Sequence, residues 1–432
     1  MPRNTLSKKL VGVDNIVIEN EEYDELSDSI IITARPYRKD TCRCGKCGRK
    51  ASVYDYCTKE RSWRCLDAGN TKVFVRTNTY RVDCPECGVV VAGVPWANHN
   101  SGFSADFEQA CCWLSVNASK TVVSELLRID WHSVGDICDR VYKRLEGKAP
   151  DPCANLKRIG IDETSYKKGH KYLTVVVDHD TASVVWCAKG HGKAVLESFF
   201  SQLSVEQRNA IECVSADGAR YISSAIEEFC PNATRCVDPF HVVSWATEAL
   251  DEVRKQEWRR AHAKAKTAPK RGRGRPRKDE EVNPERKAAK SVKGARYPIL
   301  KNPEDLSAAQ QATLDIIRKE NCQLWRAYRL KEGLREIFRL PKEKVAAQLD
   351  SWISWAQRSR IPEFVELQRK IKRHYDAIIA TTKHGLSNAR VEAINNKIKL
   401  SVRMAYGFRN VDNLLAMVML RCSAIKIGLP GR

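Results

Sequence analysis

The chain has 432 residues, 43% of them hydrophobic, and carries 74 lysines and arginines against 53 aspartates and glutamates, a formal charge of +21. That apolar content supports cores in several domains and excludes a disordered chain, while the basic excess favours a polyanionic partner. No run approaches the roughly 18 apolar residues needed to span a bilayer, no lipidation motif is evident, and Met1–Ser7 lacks the apolar core of a signal peptide. Nucleic acid rather than membrane is therefore the expected partner. The 17 cysteines are odd in number, and the ten from Cys111 onward are scattered through apolar surroundings. They read as buried free thiols of a reducing, intracellular compartment.

Residues 1–40 hold short β-type runs, Asn15–Ile18 and Ser29–Thr33, and a cysteine-rich stretch with a strand at Lys72–Arg76 follows. That stretch reads Cys42-Arg-Cys44-Gly-Lys-Cys47-Gly and later Cys84-Pro-Glu-Cys87-Gly. Two Cys-x-x-Cys pairs, each followed by glycine, are the knuckles of a zinc ribbon, since this spacing lets both thiolates reach one tetrahedral ion. Cys44, Cys47, Cys84 and Cys87 are the expected ligands of a structural Zn²⁺. Cys42 competes with Cys44, and Cys57 and Cys65 fall between the knuckles, where a hairpin is expected. Four thiolates leave no open position for substrate.

Residues 103–147 turn helical, with Phe107, Ala110, Cys111 and Leu114 at helical spacing. Within 119–145, a first helix with Val122, Val123 and Leu126 inward, a three-residue turn and a second helix make a helix-turn-helix. Val134, Ile137, Cys138 and Val141 then face the core, and Trp131, His132 and Ser133 stand at the second helix's N-terminus, where a recognition helix meets DNA. An ordinary αα-hairpin is the alternative reading.

Residues 157–250 alternate short strands and helices. A strand ends in Asp162, a second spans Lys171–Asp178 and a third Ala182–Ala188. Helices at about 193–203 and 219–229 frame a fourth strand ending in Asp217 and a fifth ending in Asp238, followed by Pro239-Phe-His241. Three antiparallel strands followed by α-β-α-β-α is the order of a ribonuclease-H-like fold, in which acids ending the first and fourth strands lie side by side. Two such carboxylates ionise together only with a cation between them. An all-oxygen site that keeps several waters suits Mg²⁺, with Mn²⁺ as substitute, and paired ions there serve in-line phosphoryl displacement. Asp217 is taken as the second acid; Asp238 is either that ligand or a helix N-cap, since Pro239 suits the first helical position.

Residues 262–295 are basic and rich in Ala, Gly and Pro, the composition of an exposed linker or insertion. Lys264–Lys278 holds eight basic residues and no acid, and Arg271, Arg273, Arg275, Arg277 and Lys278 surround a Gly274-Arg-Pro276 core. That is the form of an AT-hook, which lays arginines in narrow A·T-rich minor grooves; the plainer reading is a solvated run. Residues 305–380 are amphipathic helices with Trp325, Trp352 and Trp355 as core anchors. In the block from about 387 to 426, Val391, Ile394 and Ile398 mark a buried stripe beside a polar face of Glu392, Asn395, Asn396 and Lys399. That face suits metal and phosphate, although by pattern alone Glu392 reads as a surface glutamate.

The paired knuckles, Gly160-Ile-Asp162-Glu, Lys168-Gly-His-Lys-Tyr, Asp238-Pro-Phe-His241, Arg296-Tyr-Pro-Ile-Leu-Lys-Asn and Ser387-Asn…Glu392-Ala-Ile-Asn-Asn-Lys-Ile-Lys…Tyr406-Gly-Phe-Arg-Asn410 run in order over most of the chain. Together they resemble the zinc-ribbon insertion-sequence transposases of the bacterial ISL-three family. The resemblance implies Asp162 as first and Glu392 as third acid of a DDE triad. It also implies binding to the terminal inverted repeats of an insertion sequence, and Mg²⁺-dependent cleavage and transfer of strands of double-stranded transposon-end and target DNA. A homodimeric synaptic complex at the nucleoid, in the bacterial cytoplasm, goes with it. His241 is expected to contact the scissile phosphate or brace an acid. The chain departs at Pro239, where the family more often has arginine, and the AT-hook-like run is not a family feature.

The expected architecture is multidomain α+β. It comprises a β region with the zinc ribbon (1–100), the helix-turn-helix (101–150), the first part of a ribonuclease-H-like core (151–260), a basic linker with a mainly helical insertion (261–380) and C-terminal core helices (381–432). Two other functions remain open: a DNA-binding regulator with an inactive core, and a metal-dependent nuclease without strand transfer. Intact acids argue against the first, and a zinc ribbon beside a helix-turn-helix argues against the second.

Overall fold

β-Branched residues crowd the N-terminal stretch, and they build two small sheets. The computed structural model describes residues 5–56, 59–267, 284–386 and 389–431. The chain divides into two compact units, residues 1–150 with 397–432, and residues 151–396.

In the first unit, α1 (Thr5–Val11) precedes β1 (Ile16–Asp24), β2 (Ser29–Pro36), β3 (Ser52–Asp55), β4 (Glu60–Arg64), β5 (Lys72–Asn78), β6 (Arg81–Cys84) and β7 (Gly88–Val91). One sheet has the order β1-β2-β5-β4 and the other β3-β6-β7. Ile16, Ile32, Trp63, Cys65, Val73, Val75 and Trp96 fill the core under the larger sheet. The residues between the knuckles thus supply β4 and β5 to that sheet, and the hairpin β6–β7 carries the second knuckle at its turn.

Three helices follow, α2 (Ala105–Asn117), α3 (Lys120–Leu127) and α4 (Trp131–Glu146). Each is N-capped by a short polar side chain: Ser104 accepts from Phe107 N–H, Ser119 from Val122 N–H and Asp130 from His132 N–H. Val134, Ile137, Cys138 and Val141 are buried as expected. In α3 only Val123 is buried, whereas Val122 and Leu126 are 50% and 61% exposed. The expectation of three inward residues is corrected: the inner stripe is Val123 and the half-buried Leu127, and its neighbours one position back turn about 100° away.

The second unit opens with β8 (Arg158–Lys167), β9 (Lys171–Asp178) and β10 (Ser183–Lys189), an antiparallel meander. After α5 (Lys193–Phe200) and α6 (Val205–Asn209), β11 (Cys213–Ala216) pairs parallel to β8 on its other edge. Beyond α7 (Arg220–Phe229), β12 (Thr234–Val237) adds parallel to β11, giving the order β10-β9-β8-β11-β12. Ile159, Ile161, Val176, Phe199, Phe200, Ile222 and Ile226 pack one face of this sheet.

A helical array follows: α8 (Pro239–Thr267), α9 (Pro284–Gly294), α10 (Arg296–Leu300), α11 (Ala308–Glu320), α12 (Cys322–Ile337), α13 (Lys342–Arg358), α14 (Pro362–Arg373) and α15 (Tyr375–His384). The expected linker at 262–295 is therefore helical up to Thr267 and again from Pro284. Trp352 is buried and donates from Nε1 to the Leu330 carbonyl at 2.8 Å, and Trp325 is half-buried. Trp355 is not a core anchor: it is 41% exposed, lying across α12 where Gly333 leaves room. Last come α16 (Ala389–Met404), which begins in the second unit and ends in the first, and α17 (Val411–Cys422). Met417 and Leu420 of α17 join Phe107, Cys111 and Ile137 in one core of the first unit. Among the described residues, no helix is long and apolar enough to cross a membrane.

Candidate active site and zinc cluster

The β8–β9 pairing continues past Asp162 to Lys167–Lys171, so Asp162 sits inside β8 rather than at its end as the sequence suggested. On the other edge Ser215 of β11 pairs with Gly160, and β11 stops at Ala216. Asp217 follows directly, and continuing that register by two residues sets it beside Asp162. The electrostatics agree. Burial pushes the Asp162 carboxyl above its ordinary value and the Asp217 carboxylate adds to this, while the Glu163 N–H, His241 and Asn395 pull the other way. One strand further, Val237 pairs with Ala216, so Asp238 follows beside Asp217. Asp238 is buried, and its Oδ1 accepts from the Phe240 N–H at 3.1 Å, which caps α8 with Pro239 in the first helical position.

The C-terminal helix reaches this sheet through Asn395. Its amide donates to Asp162 Oδ2 at 2.7 Å, and the Glu163 N–H donates to Oδ1 at 2.8 Å. Asn395 Oδ1 and His241 Nε2 are both buried without a partner among the described residues. Val391, Ile394 and Ile398 are buried as expected, Asn396 and Lys399 are exposed, and Glu392 is half-buried one turn before Asn395. The helix is seated closely: a Cβ at Gly160 would stand 2.5 Å from Val391 Cγ2, and Arg390 donates to the His179 carbonyl. His179 in turn shares a 2.6 Å hydrogen bond with Ser215 of β11.

Several residues around the acids carried no local sequence signal. Glu163 accepts from the Tyr221 hydroxyl at 2.5 Å and from the Gly192 N–H at 3.1 Å, tying α7 and the start of α5 to the strand that bears Asp162. Arg235 donates to the Asp217 carbonyl at 2.9 Å. Trp245 packs against Gly218, with Lys370 and His374 against its ring.

In the first unit, ligand sulfurs of Cys44, Cys47, Cys84 and Cys87 all lie within 4.8 Å of one another. Gly48 and Gly88, the residues after the second cysteine of each pair, have φ of +74° and +69°, the left-handed turn that glycine allows. Burial opposes ionisation of Cys44, but the N–H groups of Cys47 and Lys46 and the neighbouring sulfurs bring its thiol down to about 7. Four convergent sulfurs with a stabilised thiolate fit a structural Zn²⁺. Cys42 stands outside this group, and Cys65 is buried in the separate core near Trp63.

Trp131 is half-buried at the start of α4 with the Lys120 ammonium 3.7 Å over its ring, His132 is exposed and Ser133 half-buried. Arg271, Arg273, Arg275, Arg277 and Lys278 lie outside the described residues.

Comparison with known proteins finds three family matches along the chain. Residues 159–418 match the ISL3 family of DDE transposases, described as "Transposase"; residues 94–142 match the helix-turn-helix domain of transposase family ISL3; and residues 40–87 match the zinc-finger of transposase IS204/IS1001/IS1096/IS1165. The chain is 50% identical over 432 residues to the transposase for insertion sequence element IS1557 of Mycobacterium tuberculosis strain CDC 1551, covering 99% of this chain and 97% of that one. It is 26% identical over 414 residues to the transposase for insertion sequence element IS1001 of Bordetella parapertussis, covering 94% and 95% of the two. The chain belongs to the ISL3 family of transposases, enzymes that cleave and transfer DNA strands.

Proposed function

We propose that this transposase binds the terminal inverted repeats of an insertion sequence and cleaves and joins strands at a site built by Asp162, Asp217 and Glu392 on a ribonuclease-H-like sheet. The Asn395–Asp162 hydrogen bond carries this reading, because it brings the helix that bears Glu392 to the strand that bears Asp162. Glu392 precedes Asn395 by three residues, the spacing that places two side chains on neighbouring parts of one helix face.

The donor set fits a hard divalent cation. Asp162 and Asp217 repel one another, the available ligands are carboxylate oxygens, and the orphaned Asn395 Oδ1 adds an oxygen acceptor. Mg²⁺, or Mn²⁺ in its place, held by Asp162, Asp217 and Glu392 would supply activation of the attacking oxygen and stabilisation of the leaving oxygen in phosphoryl displacement. The chain's own groups orient this site. The Glu163 N–H and Asn395 fix both Asp162 oxygens, leaving their remaining lone pairs in a set direction. His241, which acts electrostatically on Asp162 and whose Nε2 has no partner among the described residues, holds a nonbridging oxygen of the scissile phosphate. Asp238 serves as the α8 cap and Asp217 as the second acid, since Asp217 acts electrostatically on Asp162, Tyr221, Arg235 and Lys370.

The zinc ribbon and the N-terminal turn of α4, with Trp131, His132 and Ser133, recognise the ends; Asn396 and Lys399 contact the backbone, and the arginines of the AT-hook-like run reach a phosphate or the minor groove. Two ends must be held together, so a homodimer assembles on double-stranded DNA, in the cytoplasm of a bacterium where the nucleoid lies. Incubation with end-containing duplex and Mg²⁺, followed by mapping of nicks to the nucleotide, tests this. Defined nicks at the element boundary and joined products are expected. Binding without nicks would support the regulator instead, and nicks without joined products the nuclease.

A further inference from the structure

The turn after β11 is packed against an aromatic ring that carries a cation. A Cβ at Gly218 would stand 2.5 Å from Trp245 Cζ2, so only glycine lets the Asp217–Gly218 turn lie this close to the indole. Lys370 places its ammonium 3.8 Å from the centroid of the same ring, and His374 lies against it at 5.6 Å. Lys370 and His374 come from α14 and the residue that follows it, in the helical array, whereas Gly218 lies in the turn that follows β11.

Charged groups crowd this turn. Lys370 feels the carboxylates of Glu248 and Asp217 but makes no ion pair among the described residues. Arg235 reaches the Asp217 carbonyl, yet its Nε is buried without a partner among the described residues. Burial, then Arg235, Lys370 and Arg373, hold His374 down to about 4, so the imidazole stays neutral amid the surrounding cations. Arg235 and Lys370 thus both act on Asp217, the acid that we assign to the metal. A purely structural role for Lys370, at the carboxyl end of α14, is already served by Lys372 and Arg373 in the same turn, and it does not explain why the ammonium is turned onto Trp245.

We propose that Lys370, held on the face of Trp245, binds a nonbridging oxygen of a phosphodiester of the strand being cut, on the Asp217 side of the site. The helical array thereby supplies a substrate contact to the catalytic sheet. The ligand is a DNA phosphate, whose negative charge an ammonium recognises without reading sequence. This rests on the assignment of Asp217 above.

The test is single-turnover nicking of end-containing duplexes by the full chain with Mg²⁺, each duplex carrying one neutral methylphosphonate at a successive position around the cut. Neutralising one phosphate near the scissile bond should slow the wild type about ten- to a hundredfold, the range for one charge-assisted hydrogen bond. Lys370→Gln should be slowed by a similar factor on unmodified DNA and lose sensitivity at that one position. Lys370→Arg should retain both rate and sensitivity. Lys370→Gln that nicks at the wild-type rate, or that is slowed yet remains fully sensitive at every position, overturns the proposal. Asp217→Asn is assayed in parallel: if it nicks normally, the metal assignment fails, whereas a dead Asp217→Asn beside an additive Lys370→Gln removes only the phosphate contact.

Discussion

The Asn395 amide donates to Asp162 Oδ2 at 2.7 Å across 233 positions of sequence. Asp162 is already pushed up by burial and by Asp217, so this bond is one of few forces holding it ionised and oriented. Asn395→Ala removes a hydrogen bond to a charged group, which corresponds to about ten- to a hundredfold in cleavage rate. Asn395→Asp adds a like charge beside Asp162 and should cost more. Rate measurements on saturating end DNA decide it: equal rates for Asn395→Ala and wild type would mean that Asp162 needs no such brace.

Asp162→Asn, Asp217→Asn and Glu392→Gln should each abolish cleavage and leave end binding nearly unchanged. Each change removes the charge that holds a cation while keeping shape, and the basic residues that supply affinity lie elsewhere. Asp238→Asn should retain cleavage and lose part of the α8 cap, on the order of 1 kcal/mol of stability. Cleavage that survives in Asp217→Asn and is lost in Asp238→Asn would exchange the two roles.

Local pattern reveals some of this site and hides the rest, for a physical reason. The strands around Asp217 were legible because Val214 and Val237 belong to short β-prone runs, that of β11 wholly buried, and α4 was legible because Val134, Ile137, Cys138 and Val141 repeat at helical spacing. The knuckles were legible because thiol spacing is set by the ion rather than by the rest of the fold. Whether α3 turns Val123 or Val122 inward depends on a partner helix, which periodicity does not contain. The position of Asp162 within β8 depends on how far β9 pairs, and the Tyr221–Glu163 and Lys370–Trp245 contacts join elements far apart in sequence. None of these leaves a mark within one window of residues.

Chelating zinc, or replacing Cys44 and Cys87 by serine, should unfold the small sheet β3-β6-β7 and weaken end recognition. Its own core is Val82, Val90 and Ala92 around the cysteines, too little to stand alone. Structural zinc contributes on the order of 10 kcal/mol in small finger peptides. Elemental analysis of reduced protein should find one zinc per chain; its absence in folded, DNA-binding protein would contradict the assignment.

The two readings of α3 differ in stability. Val123 is fully buried, so Val123→Ala should cost about 2 kcal/mol from two lost methyl groups and the cavity they leave. Leu126 is 61% exposed, and Leu126→Ala should stay within about 0.5 kcal/mol. Urea melts of the two variants beside wild type separate these values. Comparable losses would return Leu126 to the core.

End binding should weaken steeply with salt, because lysines and arginines that meet phosphates release condensed counterions. The run Arg271 to Lys278 concentrates positive charge without an acid, in a chain whose formal charge is already +21. Each arginine that reaches a phosphate or the minor groove contributes about 0.9 to the slope of log affinity against log salt. Replacing Arg273, Arg275 and Arg277 by alanine should therefore lower that slope by up to about three. Selectivity for end over random duplex should survive, since base reading is assigned to the helix beginning at Trp131 and to the zinc ribbon. Titrations on one end-containing duplex, from low to physiological salt, measure the slope directly. A slope unchanged by the triple replacement identifies the run as solvated and retires the minor-groove reading, while the assignment of Asp162, Asp217 and Glu392 stands on other contacts.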